Sequence, residues 1–270
     1  MKLKSFLAVS LTYICIFNGC KVDNTQKIFD KISISSEHNA FVFLFADQGN
    51  YFSDDTQDTV FNKALAGNMS GVNAQQLKGM VLYPDQFFDA SLSTQTAESF
   101  LHLFDNSGNN TFSSYPSVFT ELTNYQKDFN AWKHAIDSTQ KAPSVCGIGL
   151  LKQEFGSNIN IYAKIEFYAP VSDSVRVAVY LVENSVVAPQ RITSSDTSFN
   201  YLHQHVLVSA LNGDFGETIT ASALSGNTYK LTVPFSFPSS VNKNNIEYLA
   251  VVYQYHADKP LKILNCSSLK

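Results

Sequence analysis

Two histidines with a single residue between them are the first candidates for chemistry in this 270-residue chain. His203 and His205 flank Gln204, and on a β-strand, where side chains alternate, both imidazoles would share one face. Such a pair binds a metal ion when a third ligand completes the site. The sequence does not place a third ligand beside them, and two such histidines are more often surface or packing residues. We therefore predict no metal or other cofactor and keep the pair as candidates only.

Two cysteines in the second half could form a disulfide. Cys146 and Cys266 would close a loop of about 120 residues, and paired cysteines are typical of exported proteins. Two buried free thiols are the alternative. Thiol-disulfide exchange through this pair would need a strained and labile bridge, and the Cys-x-x-Cys spacing of exchange enzymes is missing.

The N-terminus has the pattern of an export signal. Lys2 and Lys4 precede an apolar run over 5–17, and Gly19-Cys20 follows, which predicts a lipoprotein signal over 1–19. Gly19-Cys20 resembles the bacterial lipobox, in which the cysteine is acylated and becomes the mature N-terminus. The polar residues 20–37 are then expected to form a flexible tether.

The balance of acidic and basic residues indicates which classes of partner the protein can bind. Loss of Lys2 and Lys4 with the signal leaves 17 basic and 23 acidic side chains, a net charge of −6. Nucleic-acid binding needs a basic face, so this charge balance argues against it. The expected partners are the outer membrane, reached through the lipid, and a protein or outer-membrane complex.

The first half, 38–141, alternates strand and helix patterns. Continuous apolar runs predict strands and i, i+3, i+4 stripes predict helices, in the order 40–45, 60–65, 79–83, 97–104, 118–122 and 125–136. This alternation is typical of an α/β domain. Tyr115-Pro116 before the third strand is similar to the element of thioredoxin-like folds in which a cis-proline lies beside the active-site loop. The loop after the first strand holds no cysteine, so it lacks the thiolate that disulfide exchange requires.

The second half, 142–270, reads as all-β. Alternating or continuous apolar residues predict strands over 159–167, 175–182, 231–237 and 246–255, without helical stripes. Pro234 indicates an edge strand, and the Gly-rich stretch 212–217 indicates a turn between strands. We therefore expect a thioredoxin-like domain followed by an antiparallel Ig-like β-sandwich, with the boundary after Lys141.

Several stretches of the second half resemble one known family. They are 177–184, 187–190, 201–207 and 210–217, including Val187-Ala188-Pro189-Gln190 and Tyr201-Leu202-His203-Gln204-His205. Their order and spacing are similar to the Bacteroidota family of twenty-eight-kilodalton outer-membrane lipoproteins and adhesins. The resemblance implies attachment to the outer membrane, on its surface or periplasmic side, and an adhesive or accessory role.

These observations favour a non-catalytic binding or accessory subunit. A thioredoxin-like domain without cysteines keeps a groove that can hold an extended polypeptide through its backbone. The residues expected to line that groove are Asp47, Tyr51, Phe52, Tyr115 and Pro116. The two aromatics of the loop could instead close the domain core. A thiol-disulfide or metal-dependent enzyme, or a chaperone, is the alternative function.

Overall fold

The computed structural model describes residues 24–48, 57–84, 92–105, 117–126, 128–156, 158–193, 195–219, 226–238, 240–256 and 259–270. The predicted signal, the predicted lipid attachment at Cys20 and four groove candidates lie outside these residues. Those four are Tyr51, Phe52, Tyr115 and Pro116.

Helices are few and strands are many within the described residues. The helices are α1 (Asn24–Asp30), α2 (Gln57–Leu65), α3 (Gln95–Asp105) and α4 (Phe129–Lys141). The strands of the first half are β1 (Ala40–Phe45), β2 (Leu77–Leu82), β3 (Ser117–Thr120) and β4 (Thr123–Gln126). Those of the second half are β5 (Cys146–Phe155), β6 (Asn158–Phe167), β7 (Ser174–Glu183), β8 (Val186–Arg191), β9 (Thr197–His203), β10 (Val206–Ala210), β11 (Glu217–Ile219), β12 (Thr228–Ser236), β13 (Ile246–His256) and β14 (Lys259–Leu269).

The first half is built around β1, whose six residues are all buried, as its unbroken apolar run predicts. Strand β2 pairs with it in parallel and β3 pairs antiparallel on its other side, giving the order β2-β1-β3-β4. Helix α2 follows β1, α3 follows β2 and α4 follows β4, so the predicted alternation of strands and helices is confirmed apart from the added strand β4.

One sheet crosses the boundary that the sequence predicts after Lys141. The order is β14-β13-β7-β10-β2-β1-β3-β4, so strands of both halves are neighbours, and β11 pairs with β7. The junction is the parallel contact between β2 and β10, where Val81 N donates to His205 O at 2.6 Å. The second half is therefore antiparallel and all-β as expected, but its main sheet continues into the first half.

Both faces of this main sheet are covered. A three-stranded antiparallel sheet, β12-β6-β5, packs on one face of the second half, and Ile161, Val179 and Ala250 lie in the core between the two sheets. On the opposite face, one core joins β1 and β2 to β7 and β13 beneath α3. Helix α3 thus contacts a core that both halves supply.

The Gly-rich stretch 212–217 forms the predicted turn between strands and also holds α3 in place. Both carboxylate oxygens of Asp214 accept hydrogen bonds from α3, from Thr96 Oγ1 at 2.7 Å and Ser99 Oγ at 2.6 Å. Gly216 lies against the backbone of Val177 with φ of 74°, a conformation that glycine adopts without strain.

Two local predictions differ from the structure. Tyr125 lies in β4 and not in the third predicted helix, because Asp128 caps α4 by accepting from Ala131 N at 3.0 Å. The expected tether is also ordered from residue 24: α1 is a helix, and Ser35 forms a bridge with Ile148 of β5.

Replacement of Gly216 tests how closely this turn packs. Both Gly216 and Gly226 have positive φ, but a Cβ at Gly216 would overlap the carbonyl of Val177, whereas a Cβ at Gly226 meets nothing. Gly226→Ala should lower the free energy of unfolding by about 1–2 kcal/mol through φ alone. Gly216→Ala should lower it by about 1–3 kcal/mol more, because of the overlap. Equal losses of unfolding free energy for the two variants, measured by urea denaturation, would show that the structure accommodates the added Cβ at Gly216 without further destabilisation.

Candidate functional site

A two-stranded sheet, β8 paired with β9, stands apart from the other two sheets and covers one end of the first half. Its two faces differ in character. Ala188, Gln190 and His203 are buried on the inner face, whereas Val187 and its cross-strand neighbour Leu202 are exposed on the outer face. We call β8, β9 and the residues between them the hairpin.

The inner face holds the loop that follows β1. Gln190 is fully buried, and its Nε2 donates to Gln48 O at 3.2 Å. Gln48 Nε2 in turn donates to Pro189 O at 2.8 Å, and Arg191 N donates to Gln48 O at 2.9 Å. These bonds fix Gln48, which lies in the described start of the loop after β1. Asp47, the one described groove candidate, is buried here.

His203 packs at the same junction as a neutral side chain. Its Nδ1 lies 2.8 Å from Tyr83 Oη, at the end of β2, and the ring meets those of Tyr83 and Tyr201 edge to face. Burial lowers the pKa of His203 to about 4, and the nearby carbonyls of Ala188 and Pro189 oppose this only in part. His203 therefore stabilises the junction as an uncharged hydrogen-bonding group.

The hairpin carries several accessible apolar side chains. Among the described residues, four of the six exposed large apolar side chains lie on the hairpin. Phe199 is 73% exposed, Val187 59% and Leu202 55%, with Ile192 just beyond β8. Adjacent exposed apolar side chains mark protein-interaction sites more often than isolated ones do.

His205 does not share a face with His203. Strand β9 ends at His203, and His205 has a φ of 54°, which breaks the alternation that the sequence interpretation assumed. His205 instead lines an open cleft of about 480 Å³ with Asn184, Lys152, Lys243 and Lys270. In the described part of the chain no group of three or more metal-ligating side chains lies together, so the suggestion of a shared metal site at these histidines is not supported.

Of the two states that the sequence leaves open for Cys146 and Cys266, a disulfide or two free thiols, the structure has free, buried thiols. Cys146 belongs to the core between the two sheets, and Cys266 belongs to the core on the opposite face of the main sheet. The sheet therefore separates the sulfur atoms. Burial raises the pKa of Cys146 to about 12 and holds that of Cys266 well above its usual range, so both thiols stay protonated.

Sequence interpretation located the loop after β1 but missed the hairpin. The sequence does contain an indication of the hairpin, because Phe199 and Leu202 interrupt an otherwise polar run between residues 193 and 204. Short apolar interruptions of this kind are common in buried strands too. Their exposure depends on which neighbours cover them.

Comparisons with known proteins agree with this architecture. The model of the family described as outer membrane protein Omp28 matches residues 111–268. HBP35 of Porphyromonas gingivalis is 11% identical with a TM-score of 0.65, over 88% of this chain and 76% of that one. A structural-genomics protein from Agrobacterium tumefaciens is 12% identical with a TM-score of 0.53, over 87% of this chain and 95% of that one.

A third structure, a domain of the outer membrane lipoprotein Omp28 from Porphyromonas gingivalis, is 18% identical over 47% of this chain and 88% of that one, with a TM-score of 0.33. No curated protein matches the chain significantly in sequence. Of the helices in the described ranges, none is both long enough and apolar enough to cross a membrane.

The buried neutral state of His203 predicts a specific pH dependence. The folded-state pKa lies below the unfolded value of 6.5, so the stabilisation is present at pH 7 and is lost as the pH falls from 6.5 towards 4. His203→Asn keeps an acceptor for Tyr83 but cannot titrate. The difference in unfolding free energy between wild type and this variant should shrink by about 2–3 kcal/mol between pH 7 and pH 4.5.

The matched control is His134→Gln, at an exposed histidine on α4. Chemical denaturation of this variant over the same pH range shows what replacement of an exposed histidine contributes. A difference for His203→Asn that does not change with pH would contradict the assignment of a neutral buried imidazole.

Proposed function

The chain belongs to the Omp28 family of outer membrane proteins, and from that premise we propose that it is a non-catalytic binding or accessory lipoprotein of the outer membrane. Acylation of Cys20 attaches it to the membrane. More than one acyl chain on that residue suffices for stable anchoring, which a single chain does not provide. The folded part of the chain then presents a protein-binding surface.

The observation that carries this proposal is the set of exposed apolar side chains on the hairpin. Phe199, Leu202 and Val187 remain accessible although Ala188, Gln190 and His203 of the same strands are buried. Exposed aromatic and aliphatic side chains on a rigid support are typical anchors of protein interfaces. The support is rigid here because Gln190 and His203 tie the hairpin to the first half.

A thioredoxin-like origin of the first half is part of the proposal. The order β2-β1-β3-β4, with helices after β1, β2 and β4, supports it. The hairpin contacts Gln48 at the start of the loop after β1. The groove predicted from Tyr51, Phe52, Tyr115 and Pro116 lies outside the described residues and stays a prediction. The sandwich of the second half is proposed to be Ig-like, with its main sheet shared.

The alternative of thiol-disulfide exchange has less support. Exchange needs a thiolate that reaches a disulfide, and burial raises the pKa of both Cys146 and Cys266. The two sulfur atoms also lie on opposite sides of the main sheet. An adhesive role toward an external ligand is a narrower form of the same proposal, and the experiment below separates it from an accessory role.

Co-purification of the native protein tests the proposed surface. Outer membranes solubilised in mild detergent, with an affinity tag on the chain, should yield a partner protein in stoichiometric amount by mass spectrometry. Phe199→Ser combined with Leu202→Ser should reduce recovery of that partner at least about tenfold, because loss of two interface anchors typically exceeds 1.4 kcal/mol.

Phe155→Ser is the matched control, since Phe155 is 56% exposed but belongs to β5 of the three-stranded sheet and not to the hairpin. It should leave recovery unchanged, and circular dichroism should show that both variants are folded. Undiminished recovery with the double variant would contradict the hairpin as the binding surface. Recovery of the tagged chain alone would contradict an accessory role and favour an external ligand.

A further inference from the structure

The distance between the proposed lipid and the folded chain is short. Helix α1 begins at Asn24, so three residues separate it from Cys20. Four Cα–Cα steps of about 3.8 Å span at most about 15 Å. The lipidated residue therefore stays close to the start of α1, whatever path the intervening residues take.

Helix α1 is fixed to the outer face of the three-stranded sheet. Phe29 is buried against Tyr162 of β6, with ring centroids 5.5 Å apart in an edge-to-face arrangement. The segment after the helix lies over Gly147 and Gly149, where any Cβ would overlap its backbone. Because these contacts hold α1 on the three-stranded sheet, a lipid on Cys20 also determines which face of the protein meets the bilayer.

That face carries more basic than acidic side chains. Lys27 on α1, Lys31 just after it and Lys230 on β12 are exposed, and Lys164 on β6 is half-buried. Against these four lysines stand three acidic side chains, which are Asp30 on α1, Glu37 in the segment after it and Glu166 on β6. This excess contrasts with the net charge of −6 on the mature chain as a whole.

Two of these lysines face each other directly. Lys164 and Lys230 are paired across β6 and β12, and like charges in that position repel. Lys230 Nζ donates to Gln26 Oε1 at 2.6 Å, which supplies a neutral partner and no counter-charge. An anionic group between the lysines and the solvent would remove the repulsion.

We propose that the face formed by α1 and the outer side of β5, β6 and β12 lies against the membrane, with its lysines bound to anionic phosphate headgroups of the lipids. This inference rests on the proposed lipid anchor at Cys20. The anchor keeps the start of α1 within about 15 Å of the lipidated residue, and the lysines supply the attraction. Each lysine near an anionic surface contributes roughly 1 kcal/mol, or about fivefold in affinity.

Lysine accessibility on vesicles tests this orientation without substitutions. The mature chain, starting at residue 20, is coupled through the Cys20 thiol to a maleimide lipid. Cys146 and Cys266 are buried with raised pKa values, so Cys20 is the residue that couples. Vesicles contain either phosphatidylcholine alone or phosphatidylcholine with phosphatidylglycerol. A water-soluble acetylating reagent then modifies lysines, and mass spectrometry measures the rate at each position.

On the phosphatidylglycerol vesicles, Lys27, Lys31 and Lys230 should react at least about fivefold more slowly than in the uncoupled chain. Lys63 on α2 and Lys243 before β13 are the controls, and their rates should change less than twofold. High salt should remove the protection, because the attraction is screened.

Equal rates at both groups of lysines, or protection of Lys63 or Lys243 instead, would overturn the proposed orientation. Protection of the same size on neutral vesicles would overturn headgroup recognition, since proximity alone would then explain it. Protection that grows with protein concentration without vesicles would show that a second copy covers the face, which also overturns the proposal.

The coupling is made in vitro, so this result is independent of acylation in the cell. Acylation is tested separately with Cys20→Ser, which should move the protein out of the membrane fraction. If this variant remained in the membrane fraction, the proposed anchor would be wrong while the vesicle result would still stand.

Discussion

The parallel contact between β2 and β10 determines how the rest of the molecule is arranged. It depends on one unusual backbone conformation, because His205 has a φ of 54° and its carbonyl accepts from Val81 N. Asn184 stabilises that conformation by accepting from His205 N at 3.0 Å. This contact makes the two halves one sheet, allows α3 to pack across both and places the hairpin, which directly precedes β10, over the loop after β1.

Uncharged amide side chains make many of the long-range polar contacts among the residues that the structure describes. Asn212 bonds to β7 through both its oxygen and its nitrogen, at 2.8 and 2.9 Å. Asn265 likewise accepts from Asn39 N and donates to Cys146 O. An amide can donate and accept without the desolvation penalty of a charge, which suits buried junctions between loops and strands. This use of amides is consistent with a chain in which only 16% of residues are charged.

The sequence predicts the elements better than it predicts their neighbours. Local periodicity identified β1, β7 and β13, because the apolar residues of a strand themselves indicate that it is buried. It could not show that β10 pairs with β2, since that contact joins residues about 125 positions apart through a single bridge. For the same reason the sequence could not show that the main sheet separates Cys146 from Cys266, because this separation depends on the order of the strands. The sequence likewise could not predict that His205 and His203 lie on different faces, because a side-chain contact from Asn184 ends the alternation at His205.

The residues that carry the family resemblance are mostly internal contacts. Gln190 and His203 hold the hairpin, Asp214 holds α3, and Gly216 packs against β7. Shared motifs of this kind indicate a shared architecture, because each one fixes a junction between elements. They do not identify a ligand, since these side chains bond to other parts of the protein. Specificity must therefore come from side chains that the architecture leaves exposed, and on the hairpin these are the apolar side chains that the motifs surround.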